Sequence, residues 1–467
     1  MTKSTQAVVL GAGPGGYVAA IRLAQRNVKT ILVEKSRVGG VCLNRGCIPS
    51  KAFIHAAKVV ESMQHAESIG ILADQPRIDL SRTKAWKDSI VQRLTGGIGV
   101  LLEKAGVEVV EGRGRFEDPH TLRVEGENGA QTIRFEQAII ATGSRSMEIP
   151  PFPYDGAKII SSTEALNLET VPKHLCVIGG GVIGLEIGMY LHRFGAEVTV
   201  VEMMDQILPG MDADIVKTLS RALKKRKIKV HLKARADGFE EDGDGVKVKV
   251  TTDKGKTLEI ACDKVLVSVG RRPNTEDLGL EPAGVRVGDR GFIPVDAQLR
   301  TSTPHIFAIG DVTGGALLAH KASKEGLVAA AVIAGDDEVY DVRAMPAAVF
   351  TAPEIATVGL TEDEAKAKGH SVRVGRFPFS ALGKALASGE TEGFVKIVAD
   401  SEDDRILGVH IIGHAASDLI SEAAVAIEAG LCAEDLALTV HPHPTMGESL
   451  MEAAEAVHGM AIHILNP

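Results

Sequence analysis

Cys42 and Cys47 lie in the run GGVCLNRGCIPSK, residues 39–51. Two thiols this close in sequence offer a two-electron acceptor, provided the backbone brings their Cα atoms within about 7 Å. A distorted first helical turn meets that demand, and Pro49 is placed to open such a helix. A helix N-terminus, with Arg45 and Lys51 adjacent, is expected to lower the thiol pKa and make a thiolate available. Two neighbouring cysteines are, by themselves, as often structural or incidental as reactive. Here the pair directly follows a βαβ pattern, and in a reducing compartment that context favours a redox pair. Cys176, Cys262 and Cys432 lie far apart in apolar or mixed segments and are expected to be inert core thiols.

The elements that must position such chemistry occur twice. Residues 6–34 read QAVVLGAGPGGYVAAIRLAQRNVKTILVE and residues 174–202 read HLCVIGGGVIGLEIGMYLHRFGAEVTVVE. In both, a β-branched apolar run enters a glycine cluster, an amphipathic stretch follows, and a second β run ends in glutamate. A lone GxGxxG is weak, because glycine clusters also serve as plain turns. Here the context is complete. Gly11 and Gly179 make the tight turn, Gly13 and Gly181 admit a pyrophosphate, and Gly16 and Gly184 let helix pack on strand. The helix N-terminus then faces the phosphates. Glu34 and Glu202, at identical spacing from their glycines, end the second strand, where a carboxylate accepts ribose hydroxyls. Glu202 repels a 2′-phosphate, and MMDQILPG after it carries no Arg or Lys, so the second site is expected to prefer NAD to NADP. Two dinucleotide sites suggest a relay, with a tightly held flavin in one and a diffusible nicotinamide in the other.

Further along, QAIIATG (137–143) and KVLVSVG (264–270) read as strands closing two nucleotide-binding sheets. Residues 50–104 carry helical periodicity, and the KKRK ending at residue 227 fits a helix C-terminus, where cations complement the dipole. From residue 343 the strand-like GFVKIVA and RILGVHIIG alternate with Ala-rich helices, as in a separate α+β domain. The 467 residues are enough for about three domains, and 45% hydrophobic with 24% charged residues is a globular balance. A net charge of −9 and 4% aromatic residues argue against nucleic acid as a partner. The longest apolar stretch, Leu175 to Leu185, falls short of the roughly 18–20 residues of a membrane helix. Residues 1–10 lack an apolar core and a cleavage site, so a cytoplasmic or matrix-type protein is expected.

Taken in order along essentially the whole chain, GGVCLNRGCIPSK, the two fingerprints, ATGS (141–144), GRRPN (270–274), AIGD (308–311) and HPHPTMGE (441–448) resemble the pyridine nucleotide–disulfide oxidoreductases. The closest resemblance is to the branch that oxidises dihydrolipoyl groups. Relative to the commonest form of the disulfide motif, Arg45 stands where Val is usual and Val41 where Thr is frequent. Neither touches a reacting atom, although Arg45 bears on thiolate stabilisation.

The resemblance implies an α/β fold with two Rossmann-like dinucleotide-binding domains and a C-terminal α+β dimerisation domain. It divides the chain into an FAD-binding domain (1–146), an NAD-binding domain (147–270), a central segment completing the FAD site (271–343) and an interface domain (344–467). Cys42 is then the interchange thiol and Cys47 the thiol that passes electrons to the flavin. His443 is the base and Glu448 orients it, the His–acid logic of hydrolytic triads. Lys51 belongs beside the flavin and Glu186 on the nicotinamide side. Asp311 binds the ribityl chain, Thr142 and Gly143 line the adenine half with Gly114 nearby, and Gly270 approaches the nicotinamide. His441 next to His443 has no acidic or cysteine ligand spacing around it, so no metal is expected; His410 and His414 read as ordinary residues. The implied protein is a homodimer whose His–Glu dyad serves the other subunit's site. It takes electrons from a lipoylated acyltransferase or carrier protein by ping-pong kinetics. Rival readings are another flavin disulfide reductase or a docking subunit of a multienzyme complex. A glutathione-type enzyme wants a 2′-phosphate site, a mercuric reductase wants a C-terminal cysteine pair, and a scaffold needs none of these four catalytic residues.

Overall fold

The structure, a computed structural model, describes all residues except 1, 73, 75, 128 and 467. The chain forms two compact units, each made of two sequence segments: Met1–Val171 with Val269–Asp341, and Pro172–Ser268 with Val342–Pro467.

In the first unit, Thr2–Leu10 pairs in parallel with Thr30–Glu34 on one side and with Gly129–Ile140 on the other. Glu108–Glu111 extends the sheet beyond Thr30–Glu34. The long strand Gly129–Ile140 does two jobs: its first half takes the antiparallel strand Thr121–Gly126, and its last residues pair in parallel with Ile306–Ala308. The parallel strands are near-continuous apolar runs because both faces are covered. Ala7, Val9, Leu32, Ile139 and Phe307 pack against helices, including Pro14–Gln25 and Ala319–Ile333. Val8, Leu10, Ile31, Val33 and Ile140 pack the other way, with Phe116, Leu280 and Ile293. The two helices approach closely: a Cβ at Gly326 would stand 2.6 Å from the Gly15 carbonyl oxygen, so no larger residue fits there. The helical stretch expected over 50–104 is two helices, Cys47–His65 and Leu80–Lys104, with a short 3₁₀ turn at Ala66–Ile69.

The second unit opens with the second βαβ: His174–Ile178, the helix Val182–Arg193 and Glu197–Val201, flanked by parallel Lys229–His231 and Lys264–Val267. An antiparallel sheet of Ala234–Asp242, Gly245–Thr252 and Thr257–Cys262 follows the helix Ala213–Lys225, whose last turn carries Lys224 and Lys225 as expected. The C-terminal segment is a five-stranded antiparallel sheet, ordered Ala347–Val349, Ile355–Gly359, Ile406–Ile412, Phe394–Asp400, Val372–Pro378. The helices Ala416–Ala429, Ala433–Leu438 and Glu448–Val457 contribute to the apolar core around this sheet.

One charge cluster is built into this unit. The Lys396 ammonium, on a side chain 4% exposed, lies 2.9 Å from Asp212, 3.0 Å from Asp214 and 3.1 Å from Glu362. Asp212 also caps the helix Ala213–Lys225. The His410 ring near it is almost fully buried, and burial pulls its pKa down. Cys176 and Cys262 are buried, whereas Cys432 is only half-buried, so it is not the core thiol the sequence suggested. Among the described residues no helix is long and apolar enough to cross a membrane.

Candidate active site

Cys42 sits in the short helix Gly40–Arg45, and Cys47 is the first residue of the next helix, Cys47–His65. Between them Gly46, at φ −145° and ψ −107°, breaks the helical path and turns the second thiol back towards the first. The neighbouring Cys47 thiol and burial push the Cys42 thiol well above its ordinary pKa, while the Lys51 charge pulls the other way. The sequence led us to expect a lowered value; the partner sulfur and the enclosure outweigh the cation.

The cysteine segment is pinned to the first glycine loop. The Gly39 N–H donates to the Ala12 carbonyl at 2.7 Å, and a Cβ on Gly40 would lie 2.6 Å from the Gly13 Cα. Asn44 braces the turn by donating to the carbonyls of Val38 and Gly40. Tyr17, on the helix that begins at this loop, feels the Cys42 charge, and burial raises its phenol pKa. Nothing in the sequence singled Tyr17 out, although its place one turn into the fingerprint helix was a usable signal.

Both dinucleotide loops have the geometry a pyrophosphate needs. A Cβ on Gly16 would stand 1.8 Å from the Gly11 carbonyl oxygen, and one on Gly184 2.5 Å from that of Gly179. Beside Gly13 and Gly181, by contrast, a Cβ would meet nothing within 4 Å. These two residues are the N-caps of their helices and supply no side-chain cap, so first-turn N–H groups are left for an anion. Glu34 is buried and accepts the N–H groups of Ala12 (2.7 Å) and Ser36 (2.9 Å). Glu202 is likewise buried and accepts those of Gly180 (2.6 Å) and Met204 (2.7 Å). Each carboxylate keeps a lone pair for a ribose hydroxyl, on Oε2 in Glu34, whose Oε1 also accepts the Ser36 hydroxyl. Met203 and Met204 beyond Glu202 are exposed and bring no cation. The residues present therefore fit FAD and NAD.

Thr142 and Gly143 are tied to the GRRPN segment. The Thr142 hydroxyl donates to the Asn274 carbonyl (2.7 Å), the Asn274 amide to the Thr142 carbonyl (2.9 Å), and the Asn274 N–H to Gly143 (2.9 Å). Ser144 donates to Asp311 and receives the Arg271 guanidinium at its hydroxyl (2.7 Å) and carbonyl (2.8 Å). Arg271 lies 3.9 Å from Asp311, and burial holds its pKa down against the pull of Asp311 and Cys47. Tyr154 near it is pushed up to about 12 by burial. Sequence reasoning quoted Arg271 only inside a motif and missed this contact set. Gly114 packs in its strand against Leu10 and Val33, and Gly270 takes φ +135° with its carbonyl accepting the Met147 N–H.

Glu186, in the second unit, is buried on the helix Val182–Arg193 and accepts the Phe350 N–H at 2.9 Å. Lys51, in the first unit, stands one turn beyond Cys47 on the same helix. Glu448 begins the helix Glu448–Val457; one oxygen pairs with His443 Nδ1 at 2.8 Å and the other accepts the Thr445 N–H at 2.8 Å. Burial pushes the Glu448 carboxyl up, but these partners outweigh it and hold the group below the usual range. The His443 side chain is 78% exposed, and its Nε2 has no protein partner among the described residues. His441 is engaged separately with Glu422 at 2.8 Å, and no metal-holding cluster occurs among the described residues.

Comparison with known proteins identifies the family. The model of the pyridine nucleotide-disulphide oxidoreductases matches residues 5–326, and that of their dimerisation domain residues 345–454. The chain is 50% identical to a dihydrolipoyl dehydrogenase of Thermus scotoductus, over 99% of this chain and 100% of the relative. It is 51% identical to that of Geobacillus stearothermophilus, over 99% and 98%. Among solved structures it resembles LpdA of Mycobacterium tuberculosis, with a TM-score of 0.90 and 30% identity over 97% of this chain and 99% of the other. The HOCl-induced flavoprotein disulfide reductase RclA of Escherichia coli superposes with a TM-score of 0.87 and 30% identity over 97% and 99%. The chain belongs to the pyridine nucleotide-disulphide oxidoreductases.

Proposed function

We propose that this chain oxidises protein-bound dihydrolipoyl groups to lipoyl groups and reduces NAD, the activity named for its relatives from Thermus and Geobacillus. The observation that carries the assignment is the thiol pair, set on either side of a helix break and pinned to the first dinucleotide loop. Oxidised, Cys42–Cys47 is a disulfide. His443 Nε2 takes the proton of one substrate thiol; that thiolate attacks Cys42 Sγ, the Cys42–Cys47 bond breaks and Cys47 leaves as a thiolate. The second substrate thiolate then displaces Cys42, and the substrate departs as its cyclic disulfide. Glu448 keeps the proton of the neutral imidazole on Nδ1, so that Nε2 is the basic nitrogen. Bound FAD supplies the two-electron passage from the dithiol to NAD.

On this assignment residues 1–146 bind FAD, 147–270 bind NAD, 271–343 complete the flavin site and 344–467 form the dimer interface. Glu34 and Glu202 hold the two riboses, Asp311 the ribityl chain, and Lys51 and Glu186 flank the reacting rings. Two copies pair so that each His443–Glu448 dyad serves the partner's cysteines, in the cytoplasm, with a lipoylated acyltransferase or carrier protein as donor. The matched dimerisation domain supports the pairing.

The test is anaerobic turnover of the purified flavoprotein on dihydrolipoamide, comparing NAD with NADP and running glutathione as competing thiol. NAD reduction by dihydrolipoamide alone is expected. Turnover only with NADP or with glutathione would overturn the substrate assignment while keeping the fold.

A further inference from the structure

The helix Glu448–Val457 carries two carboxylate–imidazole pairs, one turn apart. Glu448 holds His443, and Glu452, four residues on and therefore on the same helix face, holds His463 with Nδ1 at 2.5 Å from Oε1. Glu452 is almost fully buried, and its second oxygen accepts the N–H groups of Ile462 (3.1 Å) and His463 (3.4 Å). The C-terminal segment is thus drawn back to the helix, which holds a second imidazole through the glutamate one turn on from the first. The Glu448 carboxylate feels the charges of both His443 and His463. His463, with its side chain 67% exposed, has no protein partner at Nε2 among the described residues, as is true of His443. Of the other His–carboxylate pairs, His441 has both ring nitrogens engaged, by Thr439 and Glu422, and His458 pairs with Asp404 through Nε2.

The chemistry proposed above, on which this inference rests, has a need that one imidazole does not meet. A dihydrolipoyl group gives up two thiol protons. When the second thiol must ionise, His443 already carries the first. We propose that His463, oriented by Glu452, is a second proton acceptor working with His443. The balance is simple: His443 takes the proton of the attacking thiol as the Cys42–Cys47 bond breaks. His463 then relieves His443 of that proton, and neutral His443 removes the second one. Cys42, displaced from the mixed disulfide, leaves as a thiolate and is protonated from the imidazole pair. Both substrate protons end on enzyme groups, and the electron pair resides in the Cys42/Cys47 dithiol.

His463→Asn is the test variant, because the Asn amide can keep the bond to Glu452 while losing the titrating nitrogen. In the holoenzyme it is expected to lower kcat for dihydrolipoamide oxidation about tenfold, less than the roughly 10²–10⁴-fold of a primary acid–base group because His443 remains, with KM little changed. NADH oxidation by ferricyanide, which bypasses the thiol steps, should stay at the wild-type rate. His463→Ala should be slow in the same way and be restored by added imidazole, which a purely structural role of the tail does not predict. Wild-type kcat in His463→Asn overturns the proposal, as does a slow His463→Ala that imidazole fails to rescue. If the wild-type protein itself turns over no dihydrolipoamide but works on another thiol, the substrate assignment fails. The same variants assayed on that thiol then decide the role of His463, with rescue by imidazole again the supporting result.

Discussion

Replacing Lys396 by Met tests how the second unit holds its buried charges. The substitution keeps the apolar stem and deletes an ammonium that touches three carboxylates at 2.9, 3.0 and 3.1 Å. Asp214 and Glu362 have side chains 40% and 31% exposed and regain water, so they add little. Asp212, at 3% exposure, does not, and orphaning a buried partner costs about 3–5 kcal/mol. For a unit of roughly 200 residues, a loss of about 3 kcal/mol lowers Tm by about 6–10 °C. Scanning calorimetry of the holoprotein reads this directly. The double variant Asp212→Asn with Lys396→Met should recover most of it, because Asn still caps the Asp214 N–H and no buried charge is left unpaired. Burial pulls the Lys396 pKa down, but the three carboxylates win and hold it above the ordinary lysine value. Its contribution is therefore complete below about pH 10.4 and is lost as pH rises through the folded value. The Asp214 and Glu362 carboxyls are held below their usual range, so their share is present above it and is lost as pH falls through the folded values. The gap between wild type and Lys396→Met should stay flat from about pH 5 to about pH 10. A single variant within 1 kcal/mol of wild type, on the scale of an exposed pair, or a double variant as unstable as the single, refutes this account.

Cys47→Ser should abolish lipoyl oxidation yet leave FAD bound, read by retention of the yellow absorbance through gel filtration. His443→Gln should slow flavin reduction by dihydrolipoamide by about 10²–10⁴-fold without losing the flavin, and near-wild-type turnover would remove its role as base. Glu202→Ala, which deletes the proposed ribose acceptor, should cut kcat/KM for NAD about tenfold or more and narrow the preference over NADP. Alkylation of the oxidised native protein should label Cys432 and spare Cys176 and Cys262. Burial and the carboxylates of Asp435 and Asp404 raise the Cys432 thiol pKa, so labelling should climb only above about pH 8.5.

The parts of the site that the sequence displayed are those encoded by neighbours in the chain. A glycine fingerprint needs its turn, helix and acid within some thirty residues, so Gly11 to Glu34 and Gly179 to Glu202 stood out and fold as expected. His443 and Glu448 close their hydrogen bond across a single loop for the same reason. What stayed hidden depends on distant partners. Arg271 gains its place from Ser144 and Asp311, and Lys396 from Asp212 and Glu362. The rise of the Cys42 pKa also escaped, since Lys51 and the helix start are visible in the sequence but burial is not. The helical periodicity read over 50–104 passed over Gly70 and Pro76, breakers that lie between the two helices Cys47–His65 and Leu80–Lys104.

The first unit closes late in synthesis. Its strand Gly129–Ile140 waits for Ile306–Ala308, and its glycine-loop helix waits for Ala319–Ile333. A ribosome adding about 5–20 residues per second needs roughly 10–30 s to make the roughly 170 residues in between. Throughout that interval the nascent chain exposes an unpaired sheet edge at Ala138–Ile140 and the apolar flank of a helix, a template for association with other chains. Meanwhile the segment 172–268 emerges with its own parallel sheet and can fold before the first unit is complete. A nonsense mutation before codon 306 would therefore leave a sticky fragment handled by chaperones and proteases, not a working flavin-binding half.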